Sequence, residues 1–494
     1  METVVSIKPL LACLISLAAV VPIVLSGKRP NLREGWTFLA GFAKLALVAS
    51  MLPVVLGGGQ IEYTLWRLMP GVSIAFRVDA MGLLFALISS TLWIATSAYS
   101  IGYMRGLDEH SQTRYFAFFA VALSATIGVA FAANLFTLYL FYEMLSLATY
   151  PLVTHHQDEE ARMSGRKYLT FILGTSIGLV LPAMLVIYSL TGTLDFNQPG
   201  LLAGVSSQAV VVVLLLMMVL GFAKAGIMPM HGWLPAAMVA PTPVSALLHA
   251  VAVVKVGVFS IFRVMTGVFG VHLLRALDLG TLVAIIASVT ILVASLIALS
   301  QDGLKRRLAF STIGQLSYIV LGAALLTPKG MTGGLLHIAM HAFGKITLFF
   351  CAGAIFVATG KKNISEMVGI GRRMPVTMTA FLIGSMSVIG IPPTGGFISK
   401  WFLVLGTLEA HQIPLLVVLL SSSLLNAAYF MPVFYRAFFC TPEESQFEPG
   451  VVAEAPAWCV APLVFSACVS VGLFFYPQPF LRLAELAIRN ITGG

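Results

Sequence analysis

The chain has 494 residues, of which 59% are hydrophobic and only 10% are charged. Soluble domains carry about 25% charged residues, so this composition excludes a soluble globular protein and a disordered one. The long apolar runs also exclude an outer-membrane barrel, whose strands alternate in hydropathy. The net charge of +9 comes from short basic clusters between apolar runs, which indicate membrane topology rather than nucleic-acid binding.

The apolar runs predict an all-α polytopic membrane protein with about 14 transmembrane helices. They lie at 4–26, 36–56, 79–103, 115–132, 135–154, 167–190, 209–227, 244–268, 273–299, 307–327, 332–358, 375–409, 413–439 and 457–476. The stretch 115–153 is too long for one helix, and Asn134 is the expected turn. The first run lacks a basic leader and a clear cleavage site, so it is interpreted as a span and not as a signal peptide. The longest loops are expected at 57–78 and 440–456, and the chain is expected to stop soon after the last span.

Lysine and arginine counts in alternate loops predict the orientation. One side collects 16 of these bases and the other collects 8. Both termini are therefore expected outside a prokaryotic plasma membrane. The acidic loop would then face the cytoplasm; its carboxylates are Glu443, Glu444, Glu448 and Glu454.

Two apolar runs contain helix-breaking residues in their interior. The first break lies in 224–235, with Pro229 and Pro235, and the second in 390–400, with Pro392 and Pro393. In lipid, the freed carbonyls need other partners, so breaks persist inside protein or along a water-filled path. Transporters use paired broken helices in two related halves, and a separation of about 165 residues suggests a five-helix repeat. The alternative is that Pro and Gly are simply tolerated in membrane helices.

This spacing places the breaks in helices 7 and 12 and divides the chain into four parts. They are an N-terminal part with spans 1–3 (1–110), a first five-helix repeat (111–270), a second five-helix repeat (271–440), and a C-terminal span 14 (441–494).

Glu143 and Lys224 are charged residues inside apolar runs. A charge at the bilayer centre costs about 2.5–3.5 kcal/mol, so each needs a reason. The functional interpretation is a lysine whose proton affinity depends on how near the glutamate lies. The alternative is an inert ion pair, which gains little over apolar packing.

His249 and Lys255 lie six residues apart in the eighth run. On a regular helix their side chains point about 120° apart, so they need not touch, but they could pass a proton through water. A hydrogen-bonded core histidine is the alternative for His249.

His337, His341 and Lys345 are spaced i, i+4, i+8 and predict one polar stripe along a helix. Lys400 follows the second break and completes the chain of buried bases. A metal ion at His337 and His341 is not expected, because no carboxylate or cysteine lies nearby in sequence.

Other ionisable residues have weaker patterns. Lys44 is expected to extend to the membrane interface, and Asp79 to cap a helix. His231 is as consistent with a structural as with a gating role. The basic segment 305–307 is first a topological anchor.

Signatures of nucleotide binding or of a catalytic metal are absent from the sequence. The five cysteines show no ligand spacing: Cys13, Cys351, Cys440, Cys459 and Cys468. No cofactor, no metal and no catalytic or redox site is expected in this chain. The chain would contribute to an enzymatic reaction only as a subunit of an ion-translocating oxidoreductase. Energy must come from an ion gradient or from partner subunits.

At these residues the chain resembles the antiporter-like subunit family of respiratory complex I, membrane-bound hydrogenases and Mrp-type cation/proton antiporters. The resemblance covers roughly residues 70–440. It rests on the short segment that ends at Glu143 and on the segments 224–237, 240–249, 302–311, 337–345 and 392–400. It implies 14 helices, two inverted five-helix repeats and a hydrated Glu/Lys chain across the membrane midplane. By this resemblance Glu143 is the pairing glutamate, Lys224 the first-half lysine, Lys255 the central lysine and Lys400 the exit residue.

The length and the segment 398–401 look most like the D subunit of an Mrp-type antiporter. Phe310 and Gly344 depart from the family pattern without removing a titratable group. The expected function is proton translocation in a multi-subunit Na⁺/H⁺ antiporter, with other membrane subunits as partners. The alternatives are the proton-pumping subunit of a redox complex and the membrane partner of a two-component inorganic-carbon transporter. The sequence does not separate them, because all three use the same path.

Overall fold

The structure, a computed structural model, describes residues 2–196, 200–204, 207–439, 446–447 and 452–493. Four residues singled out in the sequence lie outside the described residues, namely Cys440, Glu443, Glu444 and Glu448. The other four cysteines, Cys13, Cys351, Cys459 and Cys468, are free thiols.

The first half of the chain contains three strands and thirteen helices within the described residues. They are β1 (Thr3–Val5), α1 (Lys8–Leu25), α2 (Pro30–Ala49), α3 (Leu52–Leu56), β2 (Gln60–Met69), β3 (Val72–Val78), α4 (Ala80–Gly106), α5 (Gln112–Ala130), α6 (Leu135–Val153), α7 (Glu159–Thr175), α8 (Leu181–Thr191), α9 (Gln208–Gly221), α10 (Trp233–Ala236), α11 (Thr242–Ala246), α12 (Val253–Val264) and α13 (Val271–Ala276). Single π-helical turns join some of them into longer helices, at Ser176–Val180, Leu247–Val251 and Met265–Phe269.

The second half is helical throughout the part that the structure describes. Its helices are α14 (Leu279–Ser300), α15 (Leu304–Ala324), α16 (Pro328–Thr359), α17 (Ile370–Arg373), α18 (Pro375–Ile389), α19 (Gly395–Glu409), α20 (Ile413–Phe438), α21 (Ala457–Phe475) and α22 (Gln478–Thr492). Short 3₁₀ turns occur at Ala223–Ala225, Ala237–Val239 and Ile364–Glu366.

The helical polytopic membrane fold is confirmed, with a small three-stranded sheet added to it. Among the described residues, ten helical segments are long and apolar enough to cross a membrane, and α9 and α18 are shorter apolar helices. Both expected breaks are present, one after Gly221 and one between Ile389 and Gly395. The count of 14 spans and the inverted repeat remain predictions.

The expected long loop at 57–78 is wrong. β2 and β3 form an antiparallel hairpin, and β1 from the N-terminus adds a parallel strand to β2. The outer part of β2 exposes consecutive apolar residues, including Leu65 and Trp66. A strand that does not alternate between apolar and polar residues lacks the period-2 pattern by which strands are recognised in sequence.

A helix that the sequence analysis did not predict follows the last predicted span. α22 follows α21 closely and is amphipathic. It buries Leu483, Ala484, Ala487 and Ile488 at helical spacing, and it packs against α3, α4 and α16.

The core of the bundle is built on α16 and on the segment 242–269. α16 packs against α4, α15, α18, α19 and α21. It is apolar on all sides apart from its polar stripe, as expected for a helix surrounded by protein. By contrast, α1, α2 and α20 bury only about a third of their apolar stretches, so they lie at the periphery. The titratable residues of α16 are therefore placed at the centre of the molecule.

Side-chain caps fix the starts of α4 and α6. Asp79, the expected cap, accepts a hydrogen bond from the Gly82 backbone N–H at 2.8 Å, and Asn134, at the expected turn, accepts one from the Thr137 backbone N–H at 2.8 Å. Asp79 also forms a two-contact ion pair with Arg263. The Arg263 side chain is therefore buried within the protein.

Candidate functional site

The first helix break positions Lys224. After α9 the chain makes one 3₁₀ turn and then enters the left-handed region at Gly226, with φ of +70°. The freed Ala223 carbonyl accepts a hydrogen bond from the Trp233 indole N–H at 2.9 Å. Gly257 lets α12 approach closely, because a Cβ there would lie 2.1 Å from the Ala225 nitrogen. The break is thus enclosed in protein, as the bilayer requires.

The Lys224 ammonium points back onto α6. Its Nζ donates to the Tyr142 carbonyl at 2.8 Å and to the Ser146 hydroxyl at 2.7 Å. It also lies 3.1 Å from the centre of the Tyr142 ring. These partners come from consecutive turns of one helix, so the lysine is held by neutral groups.

Glu143 belongs to the same helix but makes no ion pair with Lys224 within 4.0 Å. Both of its carboxylate oxygens are buried and lack a hydrogen-bond partner among the described residues. Its charge is nevertheless within electrostatic range of Lys224. The two residues expected to act as a pair are therefore neighbours in the fold without a direct contact.

The second break positions Lys400. α18 ends at Ile389, and α19 begins at Gly395. The Lys400 Nζ donates to the Ile389 carbonyl at 2.9 Å, which the break has freed, and to the Ser423 hydroxyl at 3.1 Å. Its ammonium lies 4.7 Å from the centre of the Tyr318 ring.

The predicted polar stripe on α16 is present and buried. The rings of His337 and His341 lie 5.6 Å apart. His337 Nδ1 is 2.8 Å from the Ser399 hydroxyl, and its Nε2 is 3.1 Å from the Gln315 side-chain oxygen. Since Ser399 directly precedes Lys400, His337 connects α16 to the helix that follows the second break.

Lys255 meets the stripe at its middle. The Lys255 Nζ lies 2.7 Å from His341 Nδ1, and both residues are buried. This contact joins residues 86 positions apart in sequence. Spacing along one helix could not predict it.

His249 is fully buried beside the Phe349 ring, at 4.7 Å between ring centres. Neither of its nitrogens has a hydrogen-bond partner among the described residues. The π-helical turn at Leu247–Val251 separates it from Lys255, so the angle expected from a regular helix does not apply. The structure does not bring His249 into contact with Lys255.

Lys345 has the same two kinds of partner as Lys224 and Lys400, namely a serine hydroxyl and an aromatic ring. Its Nζ donates to the Ser311 hydroxyl at 2.8 Å and lies 5.6 Å from the Phe430 ring centre. Lys224 and Lys400 likewise each have a serine hydroxyl and an aromatic ring as partners. A hydroxyl can both donate and accept a hydrogen bond, so it can hold the lysine with or without its extra proton.

Lys44 has the same kind of surroundings, and its expected position at the membrane interface is wrong. The side chain is fully buried; its Nζ lies 2.5 Å from the Ser16 hydroxyl and 4.8 Å from the Trp93 ring centre. Ser16 faces it from α1, which packs against α2 and closes the route to the interface.

Sequence reasoning missed the uncharged members of the site. They are Ser146, Ser311, Gln315, Ser399 and Ser423. Four of the five are buried hydroxyl or amide side chains inside apolar helices. A polar residue within an apolar run was therefore the sequence signal that could have identified them. Other buried hydroxyls, such as those of Thr96 and Thr126, bond only to their own helix, so the signal alone does not select these five.

The geometry forms one polar line that begins on α12 and continues through the second half of the chain. It runs from Lys255 to His341, His337, Ser399 and Lys400. Lys255 is within hydrogen-bond distance of His341, and His337 of Ser399, whereas the two histidine rings lie 5.6 Å apart. The Tyr318 ring lies beside both His337 and Lys400, at 5.6 Å and 4.7 Å. Each of the titratable members can bind and release a proton. The site can therefore hold and pass protons in an otherwise apolar core.

Comparison with known proteins matches residues 132–426 to the family model described as NADH:quinone oxidoreductase/Mrp antiporter, TM. NADH-quinone oxidoreductase subunit N of Desulforudis audaxviator is 34% identical, over 86% of this chain and 84% of that protein. An Na(+)/H(+) antiporter subunit of Alkalihalophilus pseudofirmus is 29% identical, over 93% of this chain and 60% of that protein.

Two solved structures share the fold. A chain of the Mrp complex from Dietzia sp. superposes with a TM-score of 0.83 at 24% identity, over 97% of both chains. A chain of the archaeal membrane-bound sulfane sulfur reductase, a respiratory membrane complex, gives a TM-score of 0.88 at 24% identity, over 98% of both. Since the family model covers more than half of the sequence and the 34% identical relative is matched over most of its length, the chain belongs to the NADH:quinone oxidoreductase/Mrp antiporter transmembrane family.

Proposed function

We propose that this chain moves protons across the membrane as one subunit of a multi-subunit Mrp-type cation/proton antiporter. The observation that carries the proposal is the polar line from Lys255 to Lys400, with its 2.7 Å and 2.8 Å contacts at His341 and His337. Buried ionisable groups are costly in a membrane, and a row of them indicates a proton relay.

In this proposal the proton passes from α12 into the second half of the chain. Lys255 and His341 exchange a proton directly, because their nitrogens are at hydrogen-bond distance. The 5.6 Å between the rings of His341 and His337 is bridged by water or by ring rotation. The proton then passes through water from His337 to Lys400, beside the Tyr318 ring that both residues approach, and Lys400 releases it toward one aqueous side.

Glu143 and Lys224 act as the switch in the first half. The unpartnered Glu143 carboxylate approaches Lys224 in one state and favours its protonated form; it lies apart in the other. In the separated state, Tyr142 and Ser146 hold the lysine with neutral groups. Moving α6 relative to the first break would therefore load or unload Lys224.

A second candidate is the proton-pumping subunit of a redox complex. The 34% identical subunit N is named as part of an NADH-quinone oxidoreductase, and it matches over 84% of its length. The antiporter relative is 29% identical over 60% of its own length. Both complexes would use the same polar line, so the distinction lies in the partner subunits.

We also place the chain in a prokaryotic plasma membrane with both termini outside, from the excess of basic residues in alternate loops. The sparsely buried faces of α1, α2 and α20 are apolar, which fits contact with lipid or with other membrane subunits. The four-part division with two five-helix repeats rests on the two helix breaks.

The test is proton flux in vesicles that contain the purified native complex, with Lys400→Met compared with wild type. The matched control is Lys329→Met, because Lys329 is an exposed base outside the polar line. We expect Lys400→Met to stop flux and Lys329→Met to keep it, with both complexes assembled. Normal flux in assembled Lys400→Met would refute the proposal.

The same vesicles distinguish the two complexes. An antiporter moves protons when a Na⁺ gradient is imposed, without an electron donor. A redox pump moves them only when an electron donor and a quinone-like acceptor are supplied. Flux driven by electron transfer and indifferent to Na⁺ would replace the antiporter by the second candidate.

A further inference from the structure

Three histidines and one carboxylate meet on a face of the protein that the polar line does not use. Glu109 and His110 lie in the loop between α4 and α5, and His155 and His156 directly follow the end of α6. We call these four residues the histidine cluster. They are brought together from two loops about 45 residues apart, which is why sequence spacing did not reveal them.

One ring nitrogen of each histidine in the cluster lies near the same carboxylate oxygen of Glu109. Glu109 Oε2 lies 3.9 Å from His110 Nδ1, 3.8 Å from His155 Nε2 and 3.7 Å from His156 Nδ1. The ligand atoms of Glu109, His110 and His156 all lie within 4.8 Å of one another. Ligand atoms around a tetrahedral zinc ion are about 3.3 Å apart, since each lies about 2.0 Å from the metal. Small side-chain rotations would therefore close the set.

The two histidines that would have to rotate, His110 and His156, are partly exposed. The side chains of His110 and His156 are 49% and 34% exposed, whereas that of Glu109 is 12% exposed. The carboxylate is thus mostly buried, and the two imidazoles have open space in which to turn. Imidazole nitrogen and carboxylate oxygen are ligands that suit Zn²⁺ and related divalent ions.

His155 is an independent sign of a ligand. Its side chain is fully buried, and neither ring nitrogen has a hydrogen-bond partner of good geometry among the described residues, although Nε2 points at Glu109. Buried polar groups without partners are rare and call for a further partner such as an ion.

We propose that the histidine cluster binds a divalent transition-metal ion of the Zn²⁺ class, with Glu109, His110 and His156 as ligands and His155 as the fourth. The ion would tie the α4–α5 loop to the end of α6. Because α6 also carries Glu143 and Ser146, the metal would restrain the helix that holds Lys224. The site does not depend on the proposed proton path.

The test is Co²⁺ binding to the purified full-length protein, followed by the visible absorption of tetrahedral Co²⁺. The variant is the double substitution His110→Ala and His156→Ala, both at accessible positions. The control is His272→Ala, which removes an exposed histidine elsewhere. Thermal unfolding checks that all three proteins are folded to the same extent.

We expect wild type and His272→Ala to bind one Co²⁺ per chain, with a tetrahedral spectrum that Zn²⁺ abolishes. The double variant should lose the spectrum and bind more than about tenfold more weakly. Glu109→Gln, which keeps the shape but removes the anionic ligand, should also weaken binding. No tetrahedral spectrum in wild type, or the same spectrum in the double variant, would overturn the proposal.

Discussion

Replacing Lys255 by methionine removes one end of the 2.7 Å contact with His341 and little else. Methionine has a similar length and fills the buried space, so the cavity cost is small. His341 Nε2 already lacks a hydrogen-bond partner among the described residues, and the substitution leaves Nδ1 without one as well. An unsatisfied buried group costs about 1–3 kcal/mol, which a protein of this size should tolerate while it remains folded.

The effect on proton transfer should be much larger than the effect on stability. A positioned acid–base group contributes about 10²–10⁴-fold to a proton transfer. We therefore expect Lys255→Met to slow proton flux by at least about 10²-fold with only a modest decrease in thermal stability. Lys255→Arg should fail too, because arginine does not release its proton in the useful range.

The assay is pH-gradient dissipation in vesicles, with the amount of assembled complex measured in the same preparation. Lys329→Met controls for the general effect of removing a base. Flux within about twofold of wild type in assembled Lys255→Met would show that the proton does not pass through this residue.

Three further outcomes follow from the site. Lys224→Arg should abolish vesicle proton flux, because a passive counter-charge would function as arginine but a proton carrier would not; retained flux would favour the inert ion pair. Lys400→Glu should keep part of the flux that a neutral residue loses, since a carboxylate in an apolar site can also titrate; equal loss in both would contradict this. Gly396→Ala should destabilise the complex to heat by about 1–3 kcal/mol and reduce flux, because its Cβ would lie 1.8 Å from the Ser387 carbonyl oxygen. Gly472→Ala, with open space around its Cβ, should change neither.

The membrane fold could be predicted from sequence because the bilayer imposes long apolar helices. The same constraint makes the two Pro- and Gly-rich segments recognisable as breaks, and both are present. β2 escapes prediction because exposed apolar residues hide its alternation, and α22 because its apolar face is short and spaced by 3.6 rather than continuous.

The candidate site was predictable as a set of residues but not as a set of contacts. A buried charge such as Lys255 stands out in an apolar run, whatever it touches. Its partner, His341, lies on another helix, so only the tertiary packing of α12 against α16 defines the pair. Lys44 shows the opposite error: its place in a short apolar run suggested an interfacial residue, but the packing of α1 against α2 encloses it.

The proposal that protons pass through the second half of the chain rests most heavily on His337. Its two nitrogens contact Ser399 and Gln315, and its ring faces His341, so it connects the Lys255 side of the polar line to the Lys400 side. The most direct measurement is proton flux in vesicles containing the assembled complex with His337→Phe, which keeps an aromatic ring but removes both nitrogens. The proposed path predicts that flux is lost while assembly and thermal stability stay near wild type; flux equal to wild type in that variant would contradict it.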